Sequence, residues 1–314
     1  MLINDTSRME WERLPVSSRN MRTSRKLLRE GNALPGVGLY AVLVKLHDGE
    51  EAFTAPWHRH NFSQIRIGVK GHLHFGPNLD CEPGQVGFFP GGAYYGPEEI
   101  IGAEYLLLQW GRDWVTRAQD KAAIAELSER GHFEHGMYYY TDEQGAEISV
   151  DGKQAVWEHV YGRAEVIQPP RYRDPIMMDP DAFDWIERDG KSVKSLGHFT
   201  EEDVAIEMVR WNRENVKQRL LPDRTTMVWV TKGTVAIEGH EYGEQTAIWS
   251  DLGEQHDIVG ALGSEALVLG LPLYGARRSG AERGDLRDRD AAGPGEREQV
   301  RSDAGEPVAA QISA

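Results

Sequence analysis

The sequence is poor in cysteine, in long apolar runs and in basic residues. Cys81 is the single cysteine, which excludes an internal disulfide, and its turn-like segment NLDCEPG predicts an inert thiol. No segment approaches the ~18 consecutive apolar residues of a membrane helix, and the polar start MLINDTSRMEWERLP does not match a secretory signal. We therefore expect a cytoplasmic protein that has no membrane partner.

Acidic residues outnumber basic ones, with 50 Asp and Glu against 35 Lys and Arg and a formal net charge of -15. Nucleic-acid binding needs a basic face that neutralises phosphates, and the strand-rich part of the sequence contains no cluster of Lys and Arg. The sequence also lacks the G-x-S-x-G, P-loop and G-x-G-x-x-G motifs. These absences argue against a nucleic-acid partner and against serine-hydrolase, P-loop and dinucleotide chemistry.

What the sequence does contain is two blocks of short apolar runs, over residues 35–112 and 191–275. Each run is bounded by Gly, Pro, Asn or Asp, as strands of sandwiches and barrels are. The blocks share one landmark, because VKG ends at Gly71 and TKG ends at Gly233, each before a short strand-like run. This pattern predicts an all-β protein with two strand-rich domains.

The remaining segments predict other kinds of structure. Residues 1–34 are polar and predict an N-terminal arm, and residues 113–190 predict a helical and extended connector. Within the connector, helices are expected over residues 113–130 and through residues 153–161. Residues 276–314 contain no aromatic residue and cannot bury much apolar surface, so they predict a disordered tail.

Candidate metal ligands lie in the first block. His58 and His60 are two residues apart, so in a strand both imidazoles point to the same side. Gln64 opens the next strand-like run and offers a third donor, an oxygen. Two imidazoles and an oxygen donor form a plausible ligand set for a divalent metal, although an ordinary polar loop would show the same H-x-H spacing.

The spacing around these residues resembles the first cupin motif, which is H-x-H, three or four residues, Glu, six residues and Gly. Here His58-x-His60 is followed by three residues, Gln64, six residues and Gly71. Gln64 therefore stands where the family has its glutamate. By this resemblance, we expect His58, His60 and Gln64 to be metal ligands.

The second cupin motif is Gly, five residues, P-x-G, two residues and His. It is matched by Gly84, Pro90 and Gly92, with Tyr95 where the family has its last histidine. Together the two motifs indicate two tandem cupin-type β-barrels, each a double-stranded β-helix, which is the bicupin arrangement. This group includes flavonol dioxygenases, polyketide cyclases and isomerases.

The second block resembles a degraded copy of the same motifs. Leu220, Pro222 and Thr226 occupy the positions of the two histidines and the glutamate, and His256 matches the last histidine. A single histidine does not hold a metal, so His256 predicts a structural or pocket residue. We therefore expect one divalent metal ion per chain, in the N-terminal barrel.

A ligand set of His, His and Gln carries no charge, so the metal would favour an anionic chelating substrate such as an enol, diketone or catechol. Fe(II), the favoured ion, would make the protein a dioxygenase. Zn(II), Mn(II) or Ni(II) would support a non-redox isomerase or cyclase. A third hypothesis is a cupin that binds a small molecule without catalysis.

Strand alternation makes further predictions around Gln64. Arg66 shares its face inside the barrel, where it meets either the substrate anion or a structural partner such as Glu104. Tyr95 is then a candidate hydrogen-bond donor or general acid. Ile65, Ile67 and Val69 face outward, and we expect the other barrel or a second subunit of a homo-oligomer to cover them.

Overall fold

The computed structural model describes residues 1–14, 23–47 and 53–272, so the tail predicted over residues 276–314 lies outside the described residues. Among the described residues, the first part of the chain contains strands of two to twelve residues and a 3₁₀ turn at Thr6–Arg8. Its strands are β1 (Leu2–Asp5), β2 (Glu12–Arg13), β3 (Thr23–Leu34), β4 (Val37–Leu46), β5 (Phe53–Ala55), β6 (Ser63–Lys70), β7 (Leu73–His74), β8 (Asp80–Cys81), β9 (Val86–Phe89), β10 (Glu98–Ile100) and β11 (Glu104–Gly111).

A segment that contains the two described helices follows, and then a second run of strands. The segment comprises α1 (Arg117–Ser128), β12 (Gly131–Glu134), β13 (Met137–Thr141), β14 (Glu147–Asp151), α2 (Gly152–Tyr161) and β15 (Ile176–Met178). The second run comprises β16 (Ile186–Arg188), β17 (Lys191–Phe199), β18 (Val204–Trp211), β19 (Lys217–Leu220), β20 (Thr226–Lys232), β21 (Val235–Ile237), β22 (His240–Tyr242), β23 (Thr246–Ser250), β24 (His256–Gly260) and β25 (Glu265–Gly270).

The two halves repeat one topology. The first seven-stranded sheet has the order β15-β9-β6-β11-β4-β3-β2, and the second has the order β1-β23-β20-β25-β18-β17-β16. Each is accompanied by a four-stranded sheet, β5-β10-β7-β8 in the first half and β19-β24-β21-β22 in the second. Six strands of each large sheet and all four of each small sheet therefore correspond position by position, which is a tandem duplication of one barrel.

The shared landmark in the sequence has a structural cause. Gly71 follows β6 with a φ of 74°, and Gly233 follows the equivalent strand β20 with a φ of 71°. A Cβ at Gly71 would lie 2.9 Å from the carbonyl oxygen of Gly102, and one at Gly233 would lie 2.5 Å from Ser264 Oγ. Both turns need glycine because the backbone is left-handed and the neighbouring chain is close.

The prediction of a separate arm over residues 1–34 is wrong. Leu2–Asp5 pairs antiparallel with β23 and so completes the large sheet of the second barrel. Thr23–Leu34 pairs along β4 in the first barrel. These segments are polar because they lie near sheet edges, where side chains such as Arg25 find partners like Glu12 instead of a core. A pattern of apolar residues does not reveal such strands.

The predicted connector is also partly absorbed into the barrels, since β15 joins the first large sheet and β16 the second. Its helices begin at polar caps, where the Thr116 side chain accepts from the Gln119 amide and that of Asp151 accepts from Lys153 and Gln154. Helix α2 ends at the left-handed Gly162. Neither helix is long and apolar enough to span a membrane.

The two barrels pack face to face through the outer side of the first large sheet. Ile65 and Ile67 are buried and Val69 is half-buried, so the expected cover over this face is present. Phe88, the neighbour of Ile65 in the sheet, stacks on Phe199 of the second barrel at 3.9 Å between ring centroids. A second subunit is not needed to cover these side chains.

Candidate active site

The two histidines lie side by side inside the first barrel. The backbone of His58 exchanges two 3.0 Å hydrogen bonds with the backbone of Tyr95, which ties the histidine loop to the end of the second motif. His58 Nδ1 lies 2.7 Å from the carbonyl oxygen of Pro56. Because a carbonyl only accepts, Nδ1 carries the proton and the lone pair is on Nε2. A backbone carbonyl on the far nitrogen is the usual way of orienting a histidine ligand.

His60 is oriented by aromatic packing. Its ring lies 4.9 Å from that of His58 and stacks on Phe62 at 4.5 Å. Phe62 in turn packs against Trp114, at the start of the helical segment. The H-x-H pair therefore forms one imidazole cluster, as its spacing predicted.

The carbonyl oxygen of Gln64 accepts hydrogen bonds from neighbouring side chains. Gln64 Oε1 accepts from Gln109 Nε2 at 3.1 Å and lies 3.3 Å from Arg66 Nη2, while Gln64 Nε2 donates to the hydroxyl of Tyr95 at 2.8 Å. The two positions at which this sequence departs from the cupin motif thus contact each other. In this arrangement Gln64 offers its oxygen to N–H donors, so its role as a metal ligand stays a prediction.

Arg66 is inside the barrel, as alternation predicted, and it forms an ion pair. Its Nη1 donates to Glu98 Oε1 at 2.9 Å, and both side chains are buried. Burial is the largest single influence and lowers the pKa of Arg66, but Glu98, Tyr95 and Tyr105 together raise it by more, so the net shift is upward. The guanidinium also lies against the rings of Phe75 and Phe89, 4.6 and 4.7 Å from their centroids. The structural alternative is therefore the one observed, with Glu98 as partner in place of Glu104.

A cavity of about 830 Å³ opens from the histidines toward the helical segment. His58, His60 and Glu98 of the first barrel line it, and so does Trp157 of α2. Its size is in the range of pockets for small molecules. The connector, predicted only as a link between barrels, thus builds half of the candidate site.

Arg59 brings a positive charge to this cavity. It lies in sequence between the two histidines and lines the same space. Its guanidinium lies over the ring of Tyr94 at 4.8 Å, and Tyr94 stacks in turn on Trp57. These two rings hold the guanidinium without neutralising it, which leaves its charge available to an anion.

Glu165 is a second titratable group on the cavity wall. Burial, and after it the nearby carboxylates of Asp151 and Glu158, raise its pKa to about 7, although Arg59 acts to lower it. A carboxyl group with a pKa near neutrality can take up or release a proton at physiological pH. Sequence reasoning missed Glu165 because it lies in an irregular segment without periodicity.

Glu98 and Arg59 were also missed, for different reasons. Glu98 lies on the three-residue strand β10, which is too short for its alternation to be recognised. Arg59 is the variable residue of H-x-H, to which the motif assigns no role. Only the assembled barrel shows that both face the histidines' cavity.

In the second barrel, the residues at the positions of the cupin ligands have the structural surroundings that the sequence predicted. Leu220 is buried in an apolar core, and His256 is half-buried with Nε2 3.3 Å from Glu254 Oε2. The carbonyl oxygen of Pro222 accepts a hydrogen bond from the backbone N–H of Gly253 and lies in a turn.

Cys81 is fully buried, and burial raises its pKa to about 11, so it carries almost no thiolate at neutral pH.

No protein-family model and no curated protein matches the sequence. Among solved structures, a candidate dioxygenase from Nostoc punctiforme is 14% identical, covers 86% of this chain and 82% of its own, and has a TM-score of 0.57. Quercetin 2,3-dioxygenase from Acinetobacter baumannii is 13% identical over 87% of this chain and 80% of its own (TM-score 0.43). Oxalate decarboxylase from Bacillus subtilis is 15% identical over 87% and 76% (TM-score 0.48).

The likeness to the Nostoc protein is one of fold, and it agrees with the strand order that the two large sheets share. With two equivalent barrels in one chain and both cupin motifs spaced through the first, the protein has the bicupin fold.

Proposed function

We propose that this chain is a metal-dependent cupin enzyme that acts on a small anionic chelating substrate of the enol, diketone or catechol type. The observation that carries the proposal is the pair of adjacent imidazoles, 4.9 Å apart, on the wall of a cavity of about 830 Å³. Two oriented imidazoles inside a cavity of ligand size are typical of a catalytic metal centre.

The donor chemistry fits a divalent ion at the histidines. His58 and His60 would hold it, and the nearby Arg66 does not oppose it because Glu98 neutralises the guanidinium. Gln64 remains the predicted third ligand; its oxygen would have to turn from Gln109 and Arg66. When bound, Fe(II) would supply reactivity toward O₂, whereas Zn(II), Mn(II) or Ni(II) would polarise a substrate carbonyl.

Arg59 is our candidate for anion recognition, a role that was one of two alternatives for Arg66 in the sequence analysis. Arg66 is already paired with Glu98, whereas Arg59 lines the cavity that the histidines also line. The planar fork of arginine suits the two oxygens of a chelating enolate or carboxylate. Tyr95 stays the predicted general acid, with a hydroxyl that Gln64 Nε2 and Arg66 Nη2 hold in place.

The first reaction to test is that of an Fe(II)-dependent dioxygenase, because the Nostoc protein of like fold is named as a candidate dioxygenase. The second is a non-redox isomerase or cyclase. Glu165 favours it, because a carboxyl group with a pKa of about 7 on the cavity wall can move a proton between substrate atoms. A barrel that binds a small molecule without catalysis is favoured only by the orientation of Gln64.

Metal content and oxygen uptake test the proposal. Protein purified without oxygen and loaded with Fe(II) is analysed for metal, and oxygen uptake is followed with enols, catechols and β-diketones. The double variant His58→Ala with His60→Ala should lose one bound ion and all turnover, whereas His132→Ala, at an exposed histidine, should lose neither.

The outcomes separate the candidates. Oxygen uptake that matches substrate loss supports the dioxygenase, and substrate conversion without oxygen uptake supports the isomerase or cyclase. If the double variant binds as much metal as the unchanged protein, the metal centre is refuted and the binding protein remains.

Arg59→Met tests the anion site. Loss of one charge-assisted contact predicts a KM about 10-fold higher or more, with the bound metal retained. Arg163→Met is a matched control, because Arg163 also lies over aromatic rings but pairs with Asp113. An unchanged KM for Arg59→Met would remove Arg59 from substrate recognition.

A further inference from the structure

A second cluster of potential metal ligands lies on the outer surface of the first barrel, on the hairpin formed by β7 and β8. His72 Nε2 and His74 Nδ1 lie 3.0 and 2.7 Å from the same oxygen, Asp80 Oδ1. The three ligand atoms all lie within 4.8 Å of one another. None of these side chains takes part in the site described above.

The register of the hairpin explains why these side chains meet. Leu73 pairs with Cys81 and His74 pairs with Asp80. Leu73 and Cys81 are fully buried in the barrel, so alternation turns His74 and Asp80 outward. His72 is two residues before His74, so its side chain leaves the same face.

We propose that this hairpin binds a second divalent transition-metal ion through His72 Nε2, His74 Nδ1 and the carboxylate of Asp80. Two imidazoles and one carboxylate are a common ligand set for Zn(II) and for Fe(II). The ion would replace the protons that the two rings now share with Asp80 Oδ1. Because His72 and Asp80 are about half exposed, with side-chain exposures of 53% and 44%, water can complete the coordination.

The arrangement around His72 also fits a metal ligand that is held by a neighbouring carboxylate. His72 Nδ1 lies 2.6 Å from Glu82 Oε1 while Nε2 faces Asp80. A carboxylate on the far nitrogen fixes the ring and keeps the lone pair on the nitrogen that faces the ion, as in the carboxylate–histidine–zinc arrangement. Glu82 is therefore a positioning residue of the proposed site.

A third carboxylate strengthens the local negative charge. Glu99 of β10 lies directly opposite His74 in the sheet, so its side chain leaves the same face. Asp80, Glu82 and Glu99 together place three negative charges around two imidazoles, which attracts a dication. The hairpin thus combines ligands, ring orientation and charge at one place.

The test uses the full chain with the barrel histidines removed, so that the two sites are measured separately. The variant His58→Ala with His60→Ala is titrated with Zn(II) by calorimetry after treatment with a chelator. One Zn(II) per chain should still bind, and adding His72→Gln with His74→Gln should abolish this binding. His132→Gln, which removes another exposed histidine beside a glutamate, should change nothing.

Glu82→Gln tests the positioning role, because loss of such a partner weakens metal binding about 10- to 100-fold while the stoichiometry stays at one ion. Absence of Zn(II) binding to the variant without barrel histidines would overturn the hairpin site. Equal binding after His72→Gln with His74→Gln would overturn it as well. The barrel centre is judged independently, by the ion lost between the unchanged protein and that variant.

Discussion

The two barrels share one topology but have opposite interiors. The first encloses His58, His60, Gln64, Arg66 and Glu98, together with a cavity of about 830 Å³. The second is filled by apolar side chains, namely Val193, Val209, Trp211, Leu220, Val228, Val230, Val235, Ile237, Ile248, Ile258, Ala266 and Val268. Duplication therefore produced one barrel whose interior can hold a ligand and one whose interior is packed.

The comparison shows under which condition a small barrel can hold polar side chains in its interior. Buried polar groups destabilise a fold unless each finds a partner, and in the first barrel Gln64, Arg66, Tyr95 and Glu98 hydrogen-bond to one another. The second barrel packs against its outer face through Phe88 and Phe199. We infer that the packed barrel acts as a scaffold for the one that carries the site.

We expect the largest loss of stability from Arg66→Met in the polar interior of the first barrel. This substitution keeps the side-chain volume but leaves Glu98 buried without its partner. Breaking one side of a buried ion pair costs about 3–5 kcal/mol, so the free energy of unfolding in urea should fall by that amount. The matched double variant Arg66→Met with Glu98→Gln should recover part of the loss. A single variant within about 1 kcal/mol of the unchanged protein would show that the network does not hold the barrel.

A smaller effect should distinguish the packed interior from the open one. Ile248→Ala in the second barrel should cost about 2–4 kcal/mol, because it leaves a cavity among close-packed neighbours. Leu107→Ala in the first barrel should cost about 1–2 kcal/mol, because Leu107 already borders the cavity and loses mainly transfer free energy. Urea unfolding measures both. A larger cost for Leu107→Ala would mean that the first interior is as tightly packed as the second.

The smallest effect concerns Glu165, whose folded pKa is about 7 against an ordinary 4.5. A raised pKa means that the folded state favours the protonated carboxyl group. Its contribution is complete below pH 4.5 and is lost as the pH rises through 7. As the pH rises from 4.5 to 8, the free energy of unfolding of Glu165→Gln should therefore increase by about 1–3 kcal/mol relative to that of the unchanged protein.

Thermal unfolding across this pH range measures the gain. Glu143→Gln, at an exposed carboxylate in the turn after β13, is the control. Its melting temperature should depend on pH in the same way as that of the unchanged protein. Parallel curves for Glu165→Gln as well would mean that the carboxyl group of Glu165 ionises as freely in the folded protein as in the unfolded one.

Local pattern predicted the two strand-rich blocks, the imidazole pair and the inward face of Arg66, and the resemblance to the cupin motifs implied the bicupin fold. These properties follow from alternation along a strand and from motif spacing, which act over a few residues. The left-handed glycines at 71 and 233 marked the duplication in the same way. The barrel interior was therefore largely predictable from sequence.

Tertiary structure alone decided which groups face one another. It placed β1 in the second barrel, Glu98 beside Arg66, and Arg59 and Glu165 on the cavity wall. It also brought Asp80 between His72 and His74. These contacts join elements that are short, irregular or distant in sequence, where side-chain periodicity carries no information and pairing depends on the register of strands across the whole barrel.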